Sequence, residues 1–239
     1  MEPRIGARKY DARMILGDGQ LARATRESVG DIDICWVCHD TPVDEHDHPD
    51  TEWVLDAIRP ELAQLDAGSV VLISSQVPVG TCARLEAQFP SLRFAVSPEN
   101  IRVKTGAEDF RNQARVIVGT RHDELRPQFE ALFAPFTDTV FFMSPESAEM
   151  TKHALNGYLA LCIVYINEIA AVCKQVGADV DDVTRGLLSE PRVSPTAPLR
   201  AGPTYSGGTL GRDTRVLADL AGPSLFAAII ESSERHPEE

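Results

Sequence analysis

Residues 146–176, ESAEMTKHALNGYLALCIVYINEIAAVCKQV, constrain this chain more than any other stretch. From Ala154 to Val172 almost every position is apolar, so no face is set apart and the segment predicts a long helix buried on most sides. Its polar exceptions are ordered. Glu149, Lys152 and Asn156 fall at i, i+3 and i+7, hence on one face, and Asn167 returns to that face three turns later. Burying an ammonium or an amide costs several kcal/mol, of order 2–7, unless it is paired. The stripe must therefore face protein partners, ordered water or a ligand, as a satisfied structural network or as a functional site.

The longest strictly apolar run in this helix, Tyr158 to Ile166, is about half of what a membrane span needs, so a buried core helix is expected and no membrane partner. With 239 residues the chain can bury a real core, as one large domain or two small ones. Acidic residues outnumber basic ones 36 to 23, a net charge of −13, which argues against a nucleic-acid partner held by general electrostatics. The five cysteines, Cys35, Cys38, Cys82, Cys162 and Cys173, sit mostly in apolar contexts and read as small buried hydrophobes in a reducing cytosol. The N-terminal stretch MEPRIGARKYDARM has no apolar run of the signal-peptide kind, so a cytoplasmic protein is expected.

Taken in order, the chain opens without a strong strand, and a short helical pattern spans Leu16 to Val29. Apolar runs of strand length follow at Ile32–Val37, Ser69–Ser74, Leu92–Val96, Arg115–Gly119 and Thr139–Met143, with helical patterns at about Thr51–Leu65, after Thr81 and near Asp123–Phe133. This alternation is the grammar of a parallel α/β sheet. The first three runs end in polar clusters: His39, Asp40, Thr41 and Pro42; Ser75 and Gln76; Ser97, Pro98 and Glu99. In open α/β sheets, chemistry gathers at such carboxyl ends. Asp50 or Thr51 is a plausible cap for the helix after the first run. His39, His46 and His48 with Asp44, Asp47 and Asp50 lack fixed ligand spacing, so the reading is a solvated acidic loop and no metal site. After the long helix come a helix near Asp179–Leu188, a Pro- and Gly-rich loop, a helix that Thr209 can cap, and a last helix over Pro223–Arg235.

These pieces resemble the UDP-glucose/GDP-mannose dehydrogenase family. The matches are Thr41-Pro42-Val43-Asp44-Glu45, Val77-Pro78-Val79-Gly80-Thr81, Ser97-Pro98-Glu99 and Arg115-Val116-Ile117-Val118-Gly119. They continue with Glu149, Lys152 and Asn156, Asn167-Glu168-Ile169, Pro191-Arg192-Val193, and Gly207-Gly208 with Arg212-Asp213. The resemblance implies an α/β fold: a partial Rossmann-like parallel sheet over 1–144, its first βαβ unit missing, followed over 145–239 by an all-α dimerisation domain built on the long central helix. It implies NAD as cofactor, a UDP- or GDP-sugar as substrate, oxidation of a CH–OH group, and a homodimer. Carried over residue by residue, Lys152, Asn156, Glu99 and Asp213 are the catalytic candidates. Thr41, Pro42, Gln76 and Arg212 are the cofactor-binding candidates, and Arg192, Leu199, Gly207 and Gly208 the substrate-binding ones.

The chain departs from the family pattern in two places. The segment Gly207-Gly208-Thr209-Leu210-Gly211-Arg212-Asp213 holds no cysteine where the family carries its nucleophile, so a carboxylate product is not expected by the thiolate route. The GxGxxG fingerprint is also absent, and Gly17-Asp18-Gly19 follows no predicted strand. NAD binding by these 239 residues alone is therefore expected to be weak. Two readings follow: a dehydrogenase completed by further sequence or a complementing chain, or a catalytically silent dimerisation module, a pseudoenzyme of that family.

Overall fold

The run Val70–Ile73 (β3), VVLI, is buried at every position, as a strand covered on both faces requires. In this computed structural model, which describes residues 15–17, 22, 25, 34–44, 48–99, 106–205 and 209–236, it lies in one six-stranded sheet. The other strands are β1 (Ile15–Leu16), β2 (Cys35–Val37), β4 (Arg93–Val96), β5 (Val116–Thr120) and β6 (Val140–Met143), in the order β1-β2-β3-β4-β5-β6. Strands β1 to β4 are mutually parallel, and so are β5 and β6. Strand β5 runs antiparallel to β4, with Ala95 opposite Thr120 and Val96 opposite Gly119. The all-parallel expectation fails at this joint because an apolar run reads the same in both directions.

The expectation of no strand before Gly17 is also corrected: Ile15 and Leu16 pair with Trp36 and Val37. Gly17 has φ +119°, and a Cβ there would stand 2.7 Å from the Cys38 carbonyl oxygen, so close backbone packing accounts for this glycine.

Both sheet faces are covered. Helix α1 (Thr51–Leu62) starts at Asp50, whose Oδ1 accepts from Trp53 N at 3.0 Å. It buries Leu55, Ile58 and Leu62, which join Leu85 of α2 (Thr81–Gln88) over Val37, Val71, Ile73 and Phe94. Each such side chain contributes roughly 1.5–3 kcal/mol. On the other face Phe110 of α3 (Gly106–Arg111) and Phe129 and Phe133 of α4 (Arg126–Phe133) pack with Trp36, Leu72 and Val118.

Strand alternation also decides the cysteines. Cys35 and Cys38 are three positions apart, a spacing that would read as a redox pair on a helical turn. On and just past β2 they enter opposite cores, Cys35 with Val37 and Cys38 with Trp36. All five cysteines are free and buried. Burial, with a smaller push from Glu61, raises the Cys35 thiol to about 12, and burial raises Cys82 as well. A thiol reagent at pH about 8, near the ordinary cysteine pKa, is thus expected to label the native chain far more slowly than the urea-unfolded chain. A thiol reacting at the free-cysteine rate would contradict this burial.

The chain divides into two compact units, Met1–Pro42 with Pro49–Lys152, and Val43–His48 with His153–Glu239. The division falls inside α5 (Pro145–Val176), whose first two turns belong with the sheet. The second unit holds the rest of α5 with α6 (Val180–Leu188), α7 (Leu210–Ala221) and α8 (Leu225–Arg235). Ala160 and Val164 of α5 pack with Ile229 and Phe226 of α8, and Cys162 and Ile166 pack with Leu199, Leu187 and Leu188.

By length and composition α5 could cross a membrane, with 33% of its most apolar window buried within the protein. The expectation of a helix buried on most sides is corrected here. Tyr158, Tyr165 and Val172, at successive intervals of seven residues and hence on one face, are 49%, 44% and 52% exposed, with half-buried Leu161 between the two tyrosines. Apolar composition all round does not say whether the cover comes from the same chain or from another.

Candidate functional site

In the first unit the carboxyl ends of three parallel strands are laced together. The Val37 carbonyl accepts from Ser74 N at 2.8 Å and Ser75 N at 3.2 Å, and Ser97 N donates to the Ile73 carbonyl at 2.8 Å. Trp36 Nε1 donates to Ser74 Oγ at 2.9 Å, which in turn donates to the Ser97 carbonyl at 2.7 Å. Thr41 Oγ1 donates to the Gln76 carbonyl at 2.5 Å, so two of the predicted cofactor-binding residues meet across adjacent loops. Pro42, the third, accepts from Asp50 N through its carbonyl at 2.8 Å. Glu99 and Lys152 are half-buried in the same unit.

Ala148 of α5 packs in one core cluster with Val37, Ile73 and Val96, the last residues of β2, β3 and β4. The next residue, Glu149, is 2% exposed, and its carboxylate accepts from Gly80 N at 2.6 Å and Cys82 N at 2.9 Å. The first member of the polar stripe therefore caps the N-terminus of α2, a terminus that favours negative charge. Changing Glu149→Gln leaves one acceptor oxygen for two N–H groups. It is expected to cost about 1–2 kcal/mol, read as a lower urea midpoint with an unchanged slope. An unaltered midpoint would mean that the cap contributes nothing.

In the second unit Asp213, in the first turn of α7, is wholly buried. Asn156 Nδ2 donates to its Oδ2, and His153 Nδ1 lies 2.9 Å from its Oδ1. Arg212, 8% exposed, places Nε 4.0 Å from the same oxygen. Asn156, Asp213 and Arg212, predicted separately, thus come together. His153, 1% exposed, was missed, although it stands three residues before Asn156 and so shares its face. Thr209 precedes α7 but makes no side-chain cap bond, contrary to expectation.

The loop before α7 is tied to α5 through Asn167, whose Oδ1 accepts from Gly202 N at 3.0 Å. Leu199 packs against Cys162 and Ile166, and Arg192 is exposed, its Nε donating to Glu190 at 2.8 Å. Gly207 and Gly208 lie outside the described residues.

The strand-end crest of the first unit is lined by polar groups of the kind that could hold a cofactor. Thr41, Gln76 and Glu99 stand at adjacent strand ends, and Ser75 Oγ is buried there with no hydrogen-bond partner among the described residues. A glycine-rich cradle for a pyrophosphate does not occur among the described residues, where Gly17 is already spent on the approach to Cys38. No group of three or more His, Cys, Asp or Glu suited to a metal occurs among the described residues.

Residues 12–137 match the UDP-glucose/GDP-mannose dehydrogenase family, NAD binding domain, and residues 146–235 match that family's central domain. The chain is 31% identical over 214 residues to UDP-glucose 6-dehydrogenase YwqF of Bacillus subtilis (strain 168), covering 86% of this chain and 48% of that protein. It is 32% identical over 204 residues to UDP-glucose 6-dehydrogenase of Pseudomonas aeruginosa, covering 80% and 45%. Among solved structures, a UDP-glucose dehydrogenase from the hyperthermophilic archaeon Pyrobaculum islandicum superposes with a TM-score of 0.73 at 25% identity, covering 85% of this chain and 49% of that one. A UDP-D-ManNAc dehydrogenase from Pyrococcus horikoshii shares the fold, with a TM-score of 0.74 at 24% identity over 86% of this chain and 51% of that one. The chain spans about half the length of the curated relatives it matches. With the family's NAD binding domain matched over residues 12–137 and its central domain over 146–235, in that order, this chain belongs to the UDP-glucose/GDP-mannose dehydrogenase family.

Proposed function

We propose that the chain carries the sugar-oxidising part of an NAD-dependent nucleotide-sugar dehydrogenase, acting on a CH–OH group of a UDP- or GDP-sugar in the cytoplasm. The observation that supports it most is the buried Asp213 carboxylate with Asn156 on α5, four residues beyond Lys152. Bound NAD would supply the hydride acceptor. Thr41, Pro42 and Gln76 would line the cofactor crest of the first unit, and Arg212 is the cofactor-binding candidate of the second unit. Lys152 stabilises charge developing on the reacting oxygen, an effect often worth several kcal/mol in a water-poor site. Asn156 orients that oxygen by donating a hydrogen bond, Asp213 holds Asn156, and Glu99 handles the proton. Arg192 and the segment from Leu199 through Gly207 and Gly208 would meet the sugar nucleotide.

The same proposal makes the protein a homodimer. The stripe of Tyr158, Tyr165 and Val172 on α5 suits a second copy of the same helix, since large apolar side chains exposed along one helix face mark an interaction face. Light scattering at micromolar concentration is expected to give twice the chain mass. A monomeric mass would remove the dimer.

Turnover is the decisive experiment. NAD binding is expected to be weaker than micromolar, so NADH formation is followed at millimolar NAD+ with a panel of UDP- and GDP-sugars. A sugar-dependent rate is expected, reduced at least about 100-fold by Lys152→Ala. Saturable sugar-nucleotide binding without NADH would favour the silent module. Absence of both would remove the dehydrogenase reading for this chain.

A further inference from the structure

A buried carboxylate persists as an anion only where N–H donors answer its oxygens. Asp213, at 0% exposure, is such a group. Asn156 answers Oδ2 through Nδ2, an atom that can only donate. Oδ1 lies 2.9 Å from His153 Nδ1. An ionised carboxylate only accepts, so the proton of this second bond belongs to Nδ1, and the bond selects the tautomer of the ring. His153 and Asn156 lie three residues apart on α5, and Asp213 opens α7. Two donors just under one turn apart therefore grip the two oxygens of one carboxylate. Such a grip fixes the plane of the carboxylate, which a single hydrogen bond would leave free to rotate.

We infer that His153 is a positioning residue of this site: it donates through Nδ1 to Asp213 and, together with Asn156, sets the orientation of the carboxylate. Its side chain is almost wholly buried at 2% exposure, so its action passes through Asp213 rather than through contact with a substrate. The catalytic consequence rests on the dehydrogenase reading, whereas the pairing does not.

The experiment uses the full chain in two arms. In the first, long-range proton–nitrogen correlation of histidine-labelled protein assigns the ring protons, with His153→Gln identifying the signal among the six histidines. The expected result is a proton on Nδ1 that loses its hydrogen-bonded signature in Asp213→Ala, which removes both acceptor oxygens. A ring protonated only on Nε2 in the native chain would overturn the pairing.

The second arm separates positioning from packing by kinetics. His153→Phe is expected to lower kcat at least about 10-fold with KM within about 3-fold, and His153→Asn, which restores an N–H donor, to recover most of the loss. A rise in KM at constant kcat, or an Asn variant as poor as the Phe variant, would overturn the positioning role. If the native chain forms no NADH, the dehydrogenase reading fails, while the tautomer arm still decides the His153–Asp213 bond.

Discussion

Substituting Asp213 by alanine is expected to destabilise the second unit by about 3–5 kcal/mol, the cost of removing one partner from a buried polar cluster. The carboxylate is 0% exposed, and its loss takes from the Asn156 amide and the His153 ring, themselves 4% and 1% exposed, the acceptor that they share. Those donors then lose protein hydrogen bonds without gaining water. Asp213→Asn should cost less, about 2 kcal/mol, because one oxygen still accepts while the new amide opposes a donor. Urea unfolding of the second unit checks the order. A loss below about 1 kcal/mol for Asp213→Ala would show that solvent reaches the cluster. Combining Asp213→Ala with Asn156→Ala should cost well under the sum of the two changes, since both remove the same bond.

Gly119→Ala is expected to cost about 3 kcal/mol, at the upper end of core overpacking. A Cβ there would stand 2.6 Å from Ala148 Cβ, 2.8 Å from Pro145 Cα and 2.9 Å from the Ser144 carbonyl oxygen. Two of those atoms are backbone, so the start of α5 would have to move away from β5. Alanine is otherwise favoured over glycine in a strand by roughly 0.5–1 kcal/mol, and the clash outweighs that gain. Gly157 is the control. Its added Cβ would meet Leu217 Cδ1 at 2.6 Å, the far end of a flexible side chain, so Gly157→Ala should cost only about 1 kcal/mol. Equal thermal midpoints for the two variants would contradict the distinction.

Much of the site was legible because it is written locally. Strand ends show as apolar runs meeting Thr41, Gln76 and Glu99, and helix starts show as Asp50 and Asp179, whose carboxylates do accept from the first-turn N–H groups. The polar stripe on α5 was legible as a problem but not as an answer. Glu149 proved to cap α2, Asn156 to hold Asp213, and Asn167 to pin Gly202, three partners 67 to 35 residues away in sequence. His153 escaped because a lone histidine beside a lysine carries no signal until its partner is known.

The amino-acid order by itself determined strands β2 to β6, the long helix, the cap at Asp50 and the family, because periodicity, capping and motif spacing act over a few residues. Only the tertiary structure decided the antiparallel turn of β5 against β4, the separation of Cys35 from Cys38 onto opposite faces, the uncovered stripe on α5, and the grip of His153 and Asn156 on one carboxylate. Those outcomes depend on which distant surfaces meet, and desolvation of the meeting groups, rather than local propensity, sets their energy.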